Sequence, residues 1–354
     1  MTVVLARGLA QRDDIDLHVL TLEGGRRGTT VQSDGKVTIH RLGGSRWMQI
    51  LDILVGPGRR RLLRHLDDLR PDLLHCHETY GLAMGGRKLP HVFTVHGFDH
   101  ANVVADMAPH WRVRSWLWRC VERWGLKRQQ HVISITPYVR RMIEGRTRAE
   151  IHDIENPIDP CFFDVRPRPR PGRILCVGWI NERKNTLGSV KALAAVAPSI
   201  PQAHLVLAGV EQDPAYRRRV EEAIDEAGLA GRVEFLGHIG HAALPAELAQ
   251  AEAFLLPSRQ ENSPMAIAEA MAVGVPVIAA NRCGMPYMVE EGSTGFLVDP
   301  EDTAMIADRL TRLLTDGGLR SDMAAAGRQA ARQRFHPDLI AQRTVEVYRR
   351  AVGR

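Results

Sequence analysis

The chain of 354 residues is poor in aromatics, at 5%, and its five cysteines stand singly at positions 76, 120, 161, 176 and 283 with no CxxC pair. Such spacing excludes a disulfide framework and a cysteine-rich zinc cluster, and it fits a reducing cytosol. No apolar run approaches the roughly 18 to 20 residues needed to cross a bilayer. The opening residues, MTVVLARGLAQRDD, lack the basic segment, apolar stretch and small-residue cleavage site of a secretory leader, so a cytoplasmic protein is expected. A net charge of +6 and a pI near 9.3 admit nucleic acid, anionic lipid or mere arginine usage as explanations. No nucleic-acid module or interleaved basic and aromatic motif accompanies that charge, so nucleic acid is not an expected partner.

What is present is a soluble globular balance, 44% hydrophobic and 25% charged, over a length that accommodates two domains. Short apolar runs at Ile174–Gly178, His204–Gly209, Val233–Gly237, Ala253–Pro257, Val275–Ala280 and Gly295–Val298 alternate with helix-length amphipathic stretches. This is the pattern of a parallel sheet covered on both faces. The first half repeats it less cleanly, with strands expected at Asp16–Thr21, Val37–Arg41, Asp72–Cys76, His91–Val95 and His131–Ile135. The stretch 154–165 and the Pro/Arg run after it read as a linker. The expected architecture is α/β: residues 1–165 and 166–335 as two doubly wound, Rossmann-like domains, and 336–354 as a helix returning to the first. The chain opens on a helical pattern (Val3, Val4, Leu5, Leu9) where such a sheet has its first strand and ligand-binding turn. A start that omits that strand is therefore expected.

The densest chemical signal is Pro257–Val277, PSRQENSPMAIAEAMAVGVPV. A strand ends at Ser258. Ser263 as cap and Pro264 as first helical residue then open a helix, whose N–H groups at Met265 and Ala266 offer a phosphate site. Glu261 lies just before the cap and Glu269 six residues beyond it, about 9 Å along the axis. That reach suits a carboxylate binding the hydroxyls of a ribose; equally, Glu is common near helix starts, and the two could be solvated. His75 and His77 (HCHE) alternate on a strand end, but no clear ligand set accompanies them, so no metal is expected. Residues 111–128 (WRVRSWLWRCVERWGLKR) hold four of the six tryptophans and six basic residues. They read either as a membrane-interface helix or as a Trp-packed helix with solvated arginines.

Glu261 to Glu269 reproduces the E-x7-E signature of glycosyltransferase family 4, with LLPS before it and EAMAxGxPVIA and TGFLV after it. The resemblance implies a GT-B fold, two Rossmann-like domains facing each other across a cleft. It also implies metal-independent transfer, without cofactor, from a nucleoside-diphosphate sugar to a glycan or lipid-linked acceptor, with retention of configuration. On this resemblance Glu261 lies near the donor sugar, Glu269 binds the ribose, and Asn262, Ser263, Pro264 and Met265 line the diphosphate. In VGWINERKNTL (177–187), Lys184 matches a diphosphate-binding lysine and Arg183 adjoins it, while Trp179 replaces an Arg and Asn185 a Gly. FLGH (235–238) puts Gly237 and His238 near the base, and TVHGFD (94–99) puts His96 near the sugar and phosphate. A role in cell-surface polysaccharide or glycolipid synthesis is expected, in the cytoplasm and against an anionic membrane surface. Three departures, Trp179, Tyr287 in place of Glu and the missing strand, leave room for a binding subunit without turnover. An epimerase of the same fold is the other alternative. A dehydrogenase is excluded, since no G-x-G-x-x-G follows a strand.

Overall fold

A computed structural model describes residues 1–26, 28–46, 49–105 and 110–353. The chain divides into two units: Met1–Phe98, Trp116–Pro157 and Pro337–Arg354 form the first, and Asp99–Ser115 and Ile158–His336 the second.

The opening residues form helix α1 (Thr2–Ala10), which buries Val4, Leu5 and Leu9. Strands β1 (Leu17–Gly24), β2 (Thr29–Asp34) and β3 (Val37–Gly44) follow, ordered β1-β3-β2 with β2 antiparallel to β3. Gly35, at φ +61°, allows the tight turn between the last two. Helices α2 (Gln49–Leu54) and α3 (Pro57–Leu69) lead to β4 (Leu74–His77), α4 (Glu78–Met84) and β5 (His91–Val95). Then come α5 (Asp99–Ala105), α6 (Trp111–Leu126), β6 (His131–Ser134), α7 (Pro137–Ile143) and β7 (Glu150–Asp153). Strands β4-β5-β6-β7 make a separate parallel sheet, so the single sheet expected for this half is divided in two among the described residues. Two strands, β2 (TTVQSD) and β7 (EIHD), are too polar to stand out in the sequence, and their neighbours supply the pairing.

In the second unit β8 (Arg173–Val177), α8 (Thr186–Val196), β9 (His204–Ala208), α9 (Pro214–Glu226) and β10 (Val233–Gly237) precede α10 (Leu244–Ala249) and β11 (Ala253–Leu256). Next are α11 (Met265–Val273), β12 (Val277–Ala280), β13 (Gly295–Val298), α12 (Thr303–Thr315) and α13 (Gly317–Phe335). All six strands are parallel, ordered β10-β9-β8-β11-β12-β13. Alternate residues feed opposite faces: Leu175, Val206, Phe254 and Val277 enter one core, Ile174, Leu205, Leu255 and Ile278 the other. This double burial is why the strands read as continuous apolar runs. Helix α14 (Pro337–Ala351) belongs to the first unit, where Ile340, Ala341, Val345 and Val347 pack with Leu5, Leu9, Val92 and Ile133. No helix among the described residues is long and apolar enough to cross a membrane.

Candidate functional site

Chain order sets the place where a ligand can enter the second unit. From β8 the chain moves outward through β9 and β10; from β11 it moves the other way through β12 and β13. The neighbours β8 and β11 are thus the topological switch point, where the loops leaving their C-terminal ends diverge and leave a crevice. Those loops are 178–185 and 257–264, the two segments singled out by motif. Arg259 ties them together. Its N–H donates to Arg183 O at 2.7 Å, and its guanidinium donates to Glu182 O and Glu182 Oε2, both at 2.8 Å. Glu301 holds the same guanidinium at 2.7 Å.

Across this clamp Glu261 Oε1 meets two cations, Arg183 Nη1 at 2.9 Å and Lys184 Nζ at 2.7 Å. All three side chains are mostly buried. Gly178 makes room for the lysine: at φ +141°, a Cβ there would sit 2.7 Å from Lys184 Cε. Asn185, the departure from the family's glycine, adopts φ +55°, the left-handed conformation that Asn tolerates better than most residues. Its side chain donates to Pro300 O at 2.7 Å, so the substitution keeps the turn and adds a tether. The backbone of Glu261 is held as well, its carbonyl accepting from Gly284 N at 2.8 Å. Any Cβ on Gly284 would collide with Asn262 O at 1.7 Å, so the approach needs glycine. A lysine with two further donors and an arginine fork beside one carboxylate make a cationic pair that the carboxylate aims.

Helix α11 starts one residue later than expected. Pro264, not Ser263, is its cap, and the Ser263 hydroxyl rests 3.8 Å from Met288 Sδ instead of closing the first turn. Proline has no N–H, and its side chain has no acceptor for a backbone N–H, so the start is left uncapped by side chains. Ile267 N–H already donates to Pro264 O at 3.1 Å, and the N–H groups of Met265 and Ala266 point out of the helix start. From this cap Glu269 is five residues along, about 7.5 Å. It is 8% exposed, within a helix buried from Ile267 to Val273. Among the described residues of its unit no hydrogen bond or ion pair reaches the carboxylate, and burial pushes its pKa up to about 7. A buried carboxylate is costly, and one beside a crevice is a candidate binding group. Gly237, at φ +64°, ends β10 and His238 follows it; β10 is the edge strand two places from β8, about 10 Å away by strand spacing.

In the first unit His96 follows β5, stacked on His77 with Nε2 2.8 Å from His77 Nδ1. Burial, then the neighbouring His77, pushes His96 down to about 3, so it is a neutral imidazole at any physiological pH. His75 spends both ring nitrogens, on Tyr348 Oη and Thr94 Oγ1 at 2.7 Å each, which removes it from any ligand set with His77. Motif reading gave no role to Arg259, Asn181 or Gly284, although each stands within a motif segment. Asn181 accepts from Lys184 N at 2.9 Å. Arg259 and Gly284 act on the backbone of loops distant in sequence, and Asn181 on the turn of its own loop.

A family profile described as "Glycosyltransferase Family 4" matches residues 1–161, and one described as "Glycosyl transferases group 1" matches residues 161–330. The chain belongs to glycosyltransferase family 4. The glycogen synthase of Mycobacterium tuberculosis is 29% identical over 299 residues, 79% of this chain and 69% of that protein. The GDP-mannose-dependent alpha-(1-6)-phosphatidylinositol monomannoside mannosyltransferase of the same organism is 30% identical over 196 residues, 52% of this chain and half of that one. Among solved structures, the sucrose-phosphate synthase of Thermosynechococcus elongatus superposes with a TM-score of 0.82 at 22% identity, covering 98% of this chain and 91% of that one. Anabaena HepE in complex with UDP-glucose superposes with a TM-score of 0.74 at 19% identity, covering 94% and 99%. The fold of this family 4 glycosyltransferase is GT-B, with two Rossmann-like domains.

Proposed function

We propose that the chain transfers a sugar from a nucleoside-diphosphate sugar to a glycan or lipid-linked acceptor, with retention and without a metal. The observation that carries this reading is the run Lys184–Glu261–α11–Glu269 at the switch point: cations, a helix start and a buried carboxylate in that order. The diphosphate takes the first turn of α11 and the ammonium of Lys184, with Arg183 beside it. Ribose hydroxyls donate to Glu269. Glu261 contacts the sugar; His96, in the first unit, stays a neutral hydrogen-bonding imidazole. As the bond from C1 to the phosphate oxygen breaks, the acceptor oxygen bonds C1 on the same face and its proton passes to that phosphate oxygen. Charge growing on the leaving group meets fixed positive charge, which is what a metal would otherwise supply.

Release of free sugar from a panel of α-linked nucleotide sugars tests this without knowledge of the acceptor. Proton NMR of the first turnovers is expected to show the α-anomer; the β-anomer appearing first would refute retention. Binding without any release of nucleotide would favour the alternative of a subunit that has lost turnover.

The acceptor side has its own support. On α6 the exposed face carries Val113, Trp116, Leu117 and Trp124, 44 to 62% exposed, flanked by exposed Arg112, Arg114, Arg119 and Arg123. Their spacing of three, four and seven draws one apolar stripe edged with arginine, which suits an anionic membrane surface in the cytoplasm. A relative named for a phosphatidylinositol mannoside points the same way. The chain is expected to sediment with vesicles containing phosphatidylglycerol at low salt, and Trp116→Glu to weaken that by about tenfold. Equal binding by the variant, or none by the wild type, would remove the membrane from this reading.

A further inference from the structure

The geometry points to a zinc site built from His131, Glu150 and His152, at the end of the first unit's parallel sheet opposite the one that presents His96. His131 opens β6 and Glu150 opens β7, and the two are register partners. His152 is two residues beyond Glu150, so the period of two puts it on the same face. The donors converge: His131 Nδ1 is 3.1 Å from His152 Nε2 and 3.6 Å from Glu150 Oε2, and His152 Nε2 is 3.9 Å from Glu150 Oε1. Ligands about 2.0 to 2.1 Å from a tetrahedral zinc stand about 3.3 Å from one another, so these spacings need only small side-chain adjustment.

The chemistry of the set agrees with the spacing. Two imidazoles and one carboxylate are zinc donors, and three protein ligands leave a fourth position for water. The imidazole rings are stacked at 25° with centroids 5.4 Å apart. Arg350, near the end of α14, donates to Glu150 Oε1 at 3.1 Å, orienting the carboxylate from outside the set. Arg140 neutralises the nearby Asp153 at 2.7 Å, so the other acid of β7 is already spoken for. Because β7 is the edge of its sheet, a bound zinc pins the outermost strand to β6 and, through Arg350, to α14. The proposed role is a structural clip remote from the transfer chemistry, and it stands whether or not the donor reading holds.

The test uses the full chain stripped with a chelator and titrated with zinc against a chromophoric competitor, and with cobalt for its visible tetrahedral absorption. One saturable zinc is expected, with the cobalt band, and a rise in apparent Tm of about 5 °C at hundredfold excess. His152→Gln and the milder Glu150→Gln are expected to weaken binding by about 100-fold or more and to lose the band. His18→Gln, in a separate row of histidines formed with His40 and His65, is expected to change nothing. The proposal is overturned if the wild type binds no saturable zinc, or if zinc and the cobalt band persist in folded Glu150→Gln and His152→Gln.

Discussion

Lys184→Ala is expected to slow sugar transfer by about 100- to 1,000-fold, while weakening the nucleotide sugar far less. The lysine ammonium and the Arg183 guanidinium both rest on Glu261 in a mostly buried crevice. In such a place a fixed donor aimed at developing charge is worth about 3 to 4 kcal/mol of barrier. In the ground state the diphosphate already carries its charge and keeps the α11 start and Arg183, so binding loses only part of its support. The asymmetry between kcat and KM is what separates stabilisation of the leaving group from simple attraction. Arg183→Ala removes a cation that also donates to Gln260 O at 3.3 Å, so its effect is expected to mix catalysis with loop order. Because the two cations share one carboxylate, Lys184→Ala in a Glu261→Gln background is expected to cost less than the sum of the single changes. A fall in affinity with kcat untouched would assign Lys184 to binding alone.

Glu269→Gln is expected to make the protein more stable and a worse binder at the same time. Burial holds this carboxyl near 7 against an ordinary value of 4.5. The folded value lies above the unfolded one, so the native state favours the neutral acid. At about 1.4 kcal/mol per decade, the cost is absent below pH 4.5, grows from there to 7, and reaches about 3 kcal/mol above it. Glutamine removes that cost, with a gain of about 2 to 3 kcal/mol expected at pH 8 and none at pH 4.5, read from denaturant midpoints. Affinity runs the other way. Ribose hydroxyls donate best to the ionised group, so nucleotide-sugar affinity of the wild type is expected to rise between pH 6 and 8. A nucleotide sugar is the right probe, since its diphosphate diester does not titrate there. In Glu269→Gln the rise is expected to vanish and affinity at pH 8 to fall by about 10- to 100-fold. Lower stability of the variant at pH 8 would mean that the carboxylate is compensated in the free protein.

Much of the second unit is legible in the sequence because its strands are buried on both faces: Phe254 and Leu255 serve opposite cores, so the run between polar loops is unbroken. Strands β2 and β7 are not legible, since TTVQSD and EIHD carry no apolar period and owe their pairing to β3 and β6. The site divides in the same way. Glu261, Glu269 and Lys184 stand in recognisable motifs, but the ion pair that joins the first to the third spans 77 residues and exists only because β8 and β11 are neighbours. Ser263 misleads for a local reason: a Ser-Pro pair reads as cap and first helical residue, yet the helix begins after the proline. His131, Glu150 and His152 escape notice because strand register, not sequence spacing, brings the first to the other two.

A crystal structure of the chain with a bound nucleotide sugar tests the central assignment most directly. The account predicts both ribose hydroxyls within hydrogen-bonding distance of Glu269. It also places the diphosphate on the N–H groups of Met265 and Ala266 with Lys184 Nζ on a phosphate oxygen. A nucleotide seated elsewhere on the second unit, with Glu269 out of reach of the ribose and Lys184 still paired only with Glu261, would contradict it.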